Sequence, residues 1–352
     1  MAHLGNSMTI NPNSRKNDSS MAAYTLPFGV DDLDSNMQVE PGPPKRIRCF
    51  VRGCEHWLCP PSRQGGGQVC PDHGIRCHSS GTYSYAELNR NLIIDADIFS
   101  KRVIGHPFKY ESSRFNQENS EDAVTWNVFR SLQRAGCLHQ VANEVTGLDL
   151  AEEPQLFLWG LTLTGDTFEP WDMLIAARRR FESDLPVRRP LTEPDIALYS
   201  PGNYLILIEA KFTSSNPFYT DGPRKSSSSL TKSELLDIYW DDALKLLDRK
   251  QARSAARVHY QFWRNLVFAE WMARQGGNET PAYLGSLTRR GYETESCREF
   301  GELLGSSASR RFAHISWEQI VQACGRKTRR LDQLNAYAHS KTTNLRKCFG
   351  LQ

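Results

Sequence analysis

The spacing of apolar positions changes several times along the chain, and each change marks an element. Tyr204-Leu-Ile-Leu-Ile208 is a continuous apolar, β-branched run of strand length, entered from the turn-rich Ser200-Pro-Gly-Asn203. That combination predicts a buried strand, with Ile196 to Tyr199 as its hairpin partner. Gln155 to Leu163 predicts an earlier strand, and Pro281 to Leu287 and Phe312 to Ser316 predict later ones. A helical period follows Asn119 and Ser120: either residue caps it, and Glu121 and Asp122 fill the first turn. Val124, Val128, Phe129 and Leu132 then make a stripe, and Gly136 stops it. Trp171 to Phe181, much of Ser233 to Gln275, and Trp317 to Cys324 also carry helical spacing, and Tyr83 to Asp97 reads as a helix with a short strand after it. From Glu121 onward the order is helix, three strands, helix, strand, then a further strand and helix. This predicts an α/β domain.

The hairpin carries its charges in an unusual place. Glu209 and Lys211 fall where the apolar run should continue, and side chains two apart on a strand share a face. Burying a carboxylate and an ammonium there is costly without partners, a metal or a substrate. If Ser200 pairs with Tyr204 around a three-residue Pro-Gly-Asn loop, Asp195 lies opposite Glu209, and all three groups share one face; a loop of two or four residues would turn Asp195 away. Pro201 suits the first turn position of a type I turn, and Asn203 tolerates the left-handed conformation after it. Two carboxylates and a lysine on one patch suit metal-assisted hydrolysis of a phosphodiester.

The chain has 352 residues, a net charge of +3 and nine cysteines. That length suits one sizeable domain with smaller attachments, and the nearly balanced charge makes no case of its own for a nucleic-acid partner. No apolar run is long enough to span a bilayer, and Met1-Ala-His-Leu lacks a basic-then-apolar leader. The cysteines are therefore expected as thiols or metal ligands, and the compartment as cytoplasmic. Five of them, with three histidines, lie between Cys49 and His78. Cys49-x4-Cys54 and Cys70-x2-His73 form two ligand pairs across a linker, as in small tetrahedral zinc sites. The preferred structural Zn²⁺ ligands are Cys49, Cys54, Cys70 and His73, with Cys59 and Cys77 as alternates. Gly53 and Gly74 supply permissive backbone beside them.

Pro194-Asp195 followed by Glu209-Ala210-Lys211, set in that order of elements, resembles the PD-(D/E)xK (restriction-endonuclease-like) nuclease superfamily. The resemblance implies an αβββαβ core with a mixed central sheet flanked by helices. It implies Asp195, Glu209 and the Ala210 carbonyl as ligands of Mg²⁺ or Mn²⁺, and Lys211 as the group that orients or activates water. It further implies an acid on the preceding helix, Glu121, with Glu118 and Asp122 as rivals, and a polar residue on a later helix, Gln261. Nucleic acid, most naturally DNA, is the implied partner and defence against foreign DNA the implied setting; no membrane partner is expected, and a homodimer is left open.

The expected organisation is a disordered tail over 1–44, a zinc-binding module over 45–80, a connector over 81–116, the nuclease domain over 117–325 and a basic tail over 326–352. Two other functions share these residues: a non-catalytic nucleic-acid-binding protein on a nuclease scaffold, and a phosphodiesterase directed at RNA or nucleotides.

Overall fold

The computed structural model describes residues 28–351, apart from 63–65, 108, 110–113, 165–166, 184–190, 217–230, 240–258, 276–279, 305–310 and 326–330. Most of the expected N-terminal tail, most of the loop after Lys211 and the arginine-rich run after Gly325 lie outside the described residues.

Strands β1 (Val39–Glu40), β2 (Arg46–Arg48) and β3 (Trp57–Leu58) form a small antiparallel sheet, and β4 (Ile75–Cys77) pairs with β5 (Tyr83–Tyr85). Helix α1 (Ala96–Arg102) leads to α2 (Glu121–Ala135) and α3 (Leu138–Thr146). Next come β6 (Gln155–Leu158), β7 (Leu161–Thr162), α4 (Asp172–Glu182), β8 (Ile196–Ser200) and β9 (Tyr204–Ala210). Helices α5 (Lys232–Tyr239) and α6 (Tyr260–Gln275) follow, then β10 (Ala282–Thr288), α7 (Thr294–Leu303), β11 (Phe312–Ser316), α8 (Trp317–Gly325) and α9 (Asp332–Ser340). A last ribbon pairs β12 (Thr342–Thr343) with β13 (Arg346–Lys347).

Six strands make the central sheet in the order β11-β10-β9-β8-β6-β7. Strand β6 pairs antiparallel with β7 and β8, and β8 antiparallel with β9, whereas β10 is parallel to both β9 and β11. A helix therefore carries the chain from β9 back to β10, as parallel pairing requires. This mixed sheet is compatible with the restriction-endonuclease-like core.

Alternation along the strands sorts their side chains onto two faces. Leu198, Ile206 and Ile208 pack with α2, α3, α8 and α9, while Ala197, Tyr199, Leu205 and Leu207 pack with α4, α5, α6 and α7. Asp195 and Glu209 continue the second set.

Helix α2 keeps its expected ends. The Ser120 hydroxyl accepts from Ala123 N–H, and Gly136 closes the helix at φ +69°. Other expectations need correction. The run from Gln155 is not one strand: Trp159 and Gly160, at φ +56° and +79°, turn it into the β6–β7 hairpin. Positive φ at both central positions marks a two-residue turn whose twist matches the flanking strands. Tyr83 to Asp97 does not begin as a helix; β5 comes first, a short 3₁₀ turn follows, and α1 starts at Ala96. Helices α3 and α7 had no counterpart in the expected order.

Both outer segments are less free than their composition suggests. Within the expected tail, residues 28–44 contain β1, bury Val30 and set Phe28 edge-on to Tyr337 at 6.5 Å. In the expected basic tail, Lys341 is fully buried, and its ammonium donates to Glu118 at 3.0 Å and to Asn91 at 3.0 Å. Thr342 N–H and Tyr85 OH also donate to Glu118, at 2.7 and 2.5 Å. One carboxylate thus joins β5, the approach to α2 and the C-terminal segment. Glu118 is thus engaged with the fold, whereas Glu121 is the acid of this helix start that lies near Lys211.

Candidate active site and candidate metal centre

The β8–β9 hairpin places the charged residues. Ser200 pairs with Tyr204 and Ile196 with Ile208, so Asp195 falls opposite Glu209. The loop has the expected three residues but a different turn. Asn203 N–H donates to Ser200 O at 3.0 Å, and Gly202 takes positive φ at +76°. Proline second and a positive-φ glycine third define a type II turn, so the left-handed residue is Gly202 and not Asn203.

Lys211 lies at the centre. Its Nζ is 2.7 Å from Glu209 Oε1, 3.6 Å from Glu121 Oε1 and 3.9 Å from Asp195 Oδ2, and it donates to the Ala210 carbonyl at 3.0 Å. Asp195 accepts from Ala210 N–H at 2.8 Å. Glu121 reaches across from the first turn of α2 and accepts from Phe212 N–H at 2.8 Å and Ser214 Oγ at 3.0 Å. The backbone past the strand end is pinned as well: Trp317 Nε1 donates to Lys211 O at 3.1 Å, and Arg289 Nε to Phe212 O at 2.8 Å.

Among the described residues, Gln261 makes no hydrogen bond to this cluster, and its buried side-chain oxygen has no hydrogen-bond partner. Asn265, one turn further along α6, does: its Nδ2 donates to Glu209 Oε2 at 2.8 Å. Helical spacing puts residues four apart on one face, but only the tilt of α6 against the sheet decides which of them reaches Glu209. Asp122, the other rival of Glu121, turns instead to Lys109, which is 2.9 Å from Asp122 and 3.3 Å from Glu193. Lys109 is 7% exposed and therefore ties the first turn of α2 to the segment that enters β8. It was legible in the sequence only as one more positive charge in the connector.

The charge balance follows from this packing. Burial raises the Asp195 carboxyl well above the usual range, and the nearby Glu209 charge adds to it. Burial likewise raises Glu121, against the opposing pull of Lys211. Burial works against ionising Glu209 too, but Lys211, Arg264 and Asn265 outweigh it and hold that group below its ordinary value. Lys211 is desolvated, yet the three acids raise its affinity for the proton. Three carboxylates face one ammonium, and two of them resist ionisation; such a donor set suits a small, hard divalent cation, which would relieve the excess negative charge.

Near the N-terminus, Cys49, Cys54, Cys70 and His73 bring their ligand atoms within 4.8 Å of one another. Cys54 and Cys70 sulfurs are 3.8 Å apart, and His73 Nδ1 is 3.3 Å from Cys70 Sγ and 3.6 Å from Cys49 Sγ. With Zn–S bonds of about 2.3 Å, neighbouring sulfurs of a regular tetrahedron stand about 3.8 Å apart. This Cys₃His group could bind a metal such as zinc. The alternates Cys59 and Cys77 lie outside it. Gly53 and Gly74 adopt φ +79° and +61° beside the ligands, the role expected of them. Arg48 braces the first knuckle by donating to Cys54 O at 2.7 Å.

The fold and this hairpin define a restriction-endonuclease-like protein. Residues 100–341 match the family described as Restriction Endonuclease associating with ARP, and the chain belongs to that family. No curated protein and no solved structure matches it. No helix among the described residues is long and apolar enough to cross a membrane.

Proposed function

We propose that this chain is a metal-dependent nuclease that hydrolyses phosphodiester bonds of DNA, in defence against foreign DNA. The observation that supports this most directly is the convergence of Asp195, Glu209 and Glu121 on Lys211 Nζ across two strands and a helix start. Asp195, Glu209 and the Ala210 carbonyl would hold Mg²⁺ or Mn²⁺. Such an ion supplies charge neutralisation at the phosphate and lowers the pKa of a bound water.

The remaining work falls to the chain itself. Lys211, kept protonated by its acidic neighbours, acts as a hydrogen-bond donor that orients the attacking water and meets negative charge growing on the phosphate. Asn265 fixes the rotamer of Glu209 so that one carboxylate oxygen faces Lys211. Glu121 holds the backbone after Lys211 and keeps a carboxylate at the edge of the cluster. The zinc module is a structural attachment, with Cys49, Cys54, Cys70 and His73 as its ligands.

Plasmid, single-stranded DNA and RNA incubated with Mg²⁺ or Mn²⁺ test this reading. Wild type is expected to cut DNA, and Asp195→Ala and Lys211→Ala to cut nothing. Preferred cutting of RNA would change the substrate class, and a wild type inert in every metal would overturn the nuclease reading.

A further inference from the structure

Beside the metal knuckle lies a cavity of about 220 Å³, lined by Asp34, Asn36, Gln38, Arg48 and Arg52 and by the rest of the 49–53 knuckle. We propose that it is a base-reading pocket which takes one unpaired guanine of a nucleic-acid strand. This rests on the reading of the substrate as nucleic acid but concerns a separate surface from the cutting site.

The size comes first. The volume is below the roughly 300 Å³ at which sites for drug-sized ligands begin, so it suits a single ring system. The chemistry of the wall narrows the class. Arg48 and Arg52 would attract a phosphate on their own, but Asp34 on the same wall would repel one. A guanine edge satisfies both kinds of group: its O6 and N7 accept from an arginine, and its amino group donates to a carboxylate.

The wall is held in place. Arg48 donates to Cys54 O at 2.7 Å and to Gln38 Oε1 at 3.2 Å, and Arg52 N–H donates to Asp32 O at 2.8 Å. Asp34 Oδ1 accepts from Asn36 N–H at 2.9 Å, which fixes the carboxylate in a tight turn.

Trp57 does not line the cavity but stands beside Arg48 at its edge, where it would supply a stacking surface. It pairs directly with Arg48 across β2 and β3, so the two side chains stand on the same face of the sheet. Trp57 is 37% exposed, unusual for tryptophan in a segment this small. Unpaired bases are commonly bound in this way, between an aromatic face and polar groups that read an edge. Residues of the knuckle, Cys49 among them, form one wall, so the metal centre would serve to hold the reading surface rigid.

The test uses full-length, zinc-loaded protein carrying Asp195→Ala, without added Mg²⁺ or Mn²⁺, and follows tryptophan fluorescence during titration with short oligo-dT strands that hold one central guanine, adenine or cytosine. Guanine is expected to bind about tenfold or more tighter than the other bases. Trp57→Leu should remove the quench, and Arg52→Ala and Asp34→Asn should each abolish the preference while leaving zinc content and thermal midpoint in place. Equal affinity for all three strands, displacement by inorganic phosphate alone, or variants that keep the preference would overturn the proposal. So would a protein partner held by this face that strands cannot displace. If wild type cuts DNA normally in that event, the nuclease reading survives; if it cuts nothing but the preference is found, only the nuclease reading falls.

Discussion

The contrast between Asn265 and Gln261 offers the sharpest test of the site. Both lie on the same face of α6, four residues apart, yet only Asn265 touches the acidic cluster. Its amide donates to Glu209 Oε2 at 2.8 Å, and Asn265 and Glu209 are 0% and 3% exposed. Replacing Asn265 by Ala removes a hydrogen bond to a buried charge, worth about 1.5–3 kcal/mol. If that energy holds Glu209 in the geometry a cation needs, apparent metal affinity falls on the order of 10- to 150-fold. Loss of groups that hold metal ligands in place costs roughly 10- to 100-fold in metal affinity or activity, an independent figure of the same size. The assay is cleavage rate against Mg²⁺ concentration at fixed substrate. Asn265→Ala should move the midpoint upward by that factor and recover much of its rate at high metal, because Lys211 still orients Glu209 at 2.7 Å. Gln261→Ala should leave the midpoint within about twofold. An unchanged midpoint in Asn265→Ala, or an equal shift in Gln261→Ala, would refute the reasoning.

Other outcomes follow from charges and thiols elsewhere. Lys341→Met leaves Glu118 buried and without its ammonium, and urea unfolding should show a loss of about 3–5 kcal/mol; adding Glu118→Gln should recover part of it, and a loss under about 1 kcal/mol would count against the pair. Cys70→Ser removes one corner of the Cys₃His group, so bound zinc should fall well below one ion per chain and the thermal midpoint should drop, as chelation should also produce in wild type. Full zinc retention in that variant would exclude Cys70 as a ligand. Burial lowers His314 below its ordinary 6.5, where it shares a hydrogen bond with Thr288. The unfolded chain therefore takes up that proton first, and stability should fall as pH drops through 6.5 and below. His314→Gln should flatten that decline, and an identical profile would remove His314 as its source.

Much of the site was open to a reader of the sequence because it is built from local rules. Strand alternation, the Pro-Gly turn and a three-residue loop set which residues of the hairpin share a face. Those rules act within the seventeen residues from Asp195 to Lys211, and they put Asp195, Glu209 and Lys211 together before any packing is considered. Helix α2 was equally plain, since Ser120, the acids after it and Gly136 state both of its ends, and the two knuckle pairs declared themselves by spacing. What stayed hidden depends on contacts between distant segments. Lys109 meets Asp122 and Glu193, Asn265 meets Glu209 from another helix, and Lys341 enters the interior to meet Glu118. A charge in a sequence looks the same whether water or a carboxylate surrounds it, and helical spacing names a face without saying which turn of it faces the sheet. The chain by itself determined the strand register and its shared face; only tertiary packing chose the partners, because partner choice depends on the angle and depth at which separate elements meet.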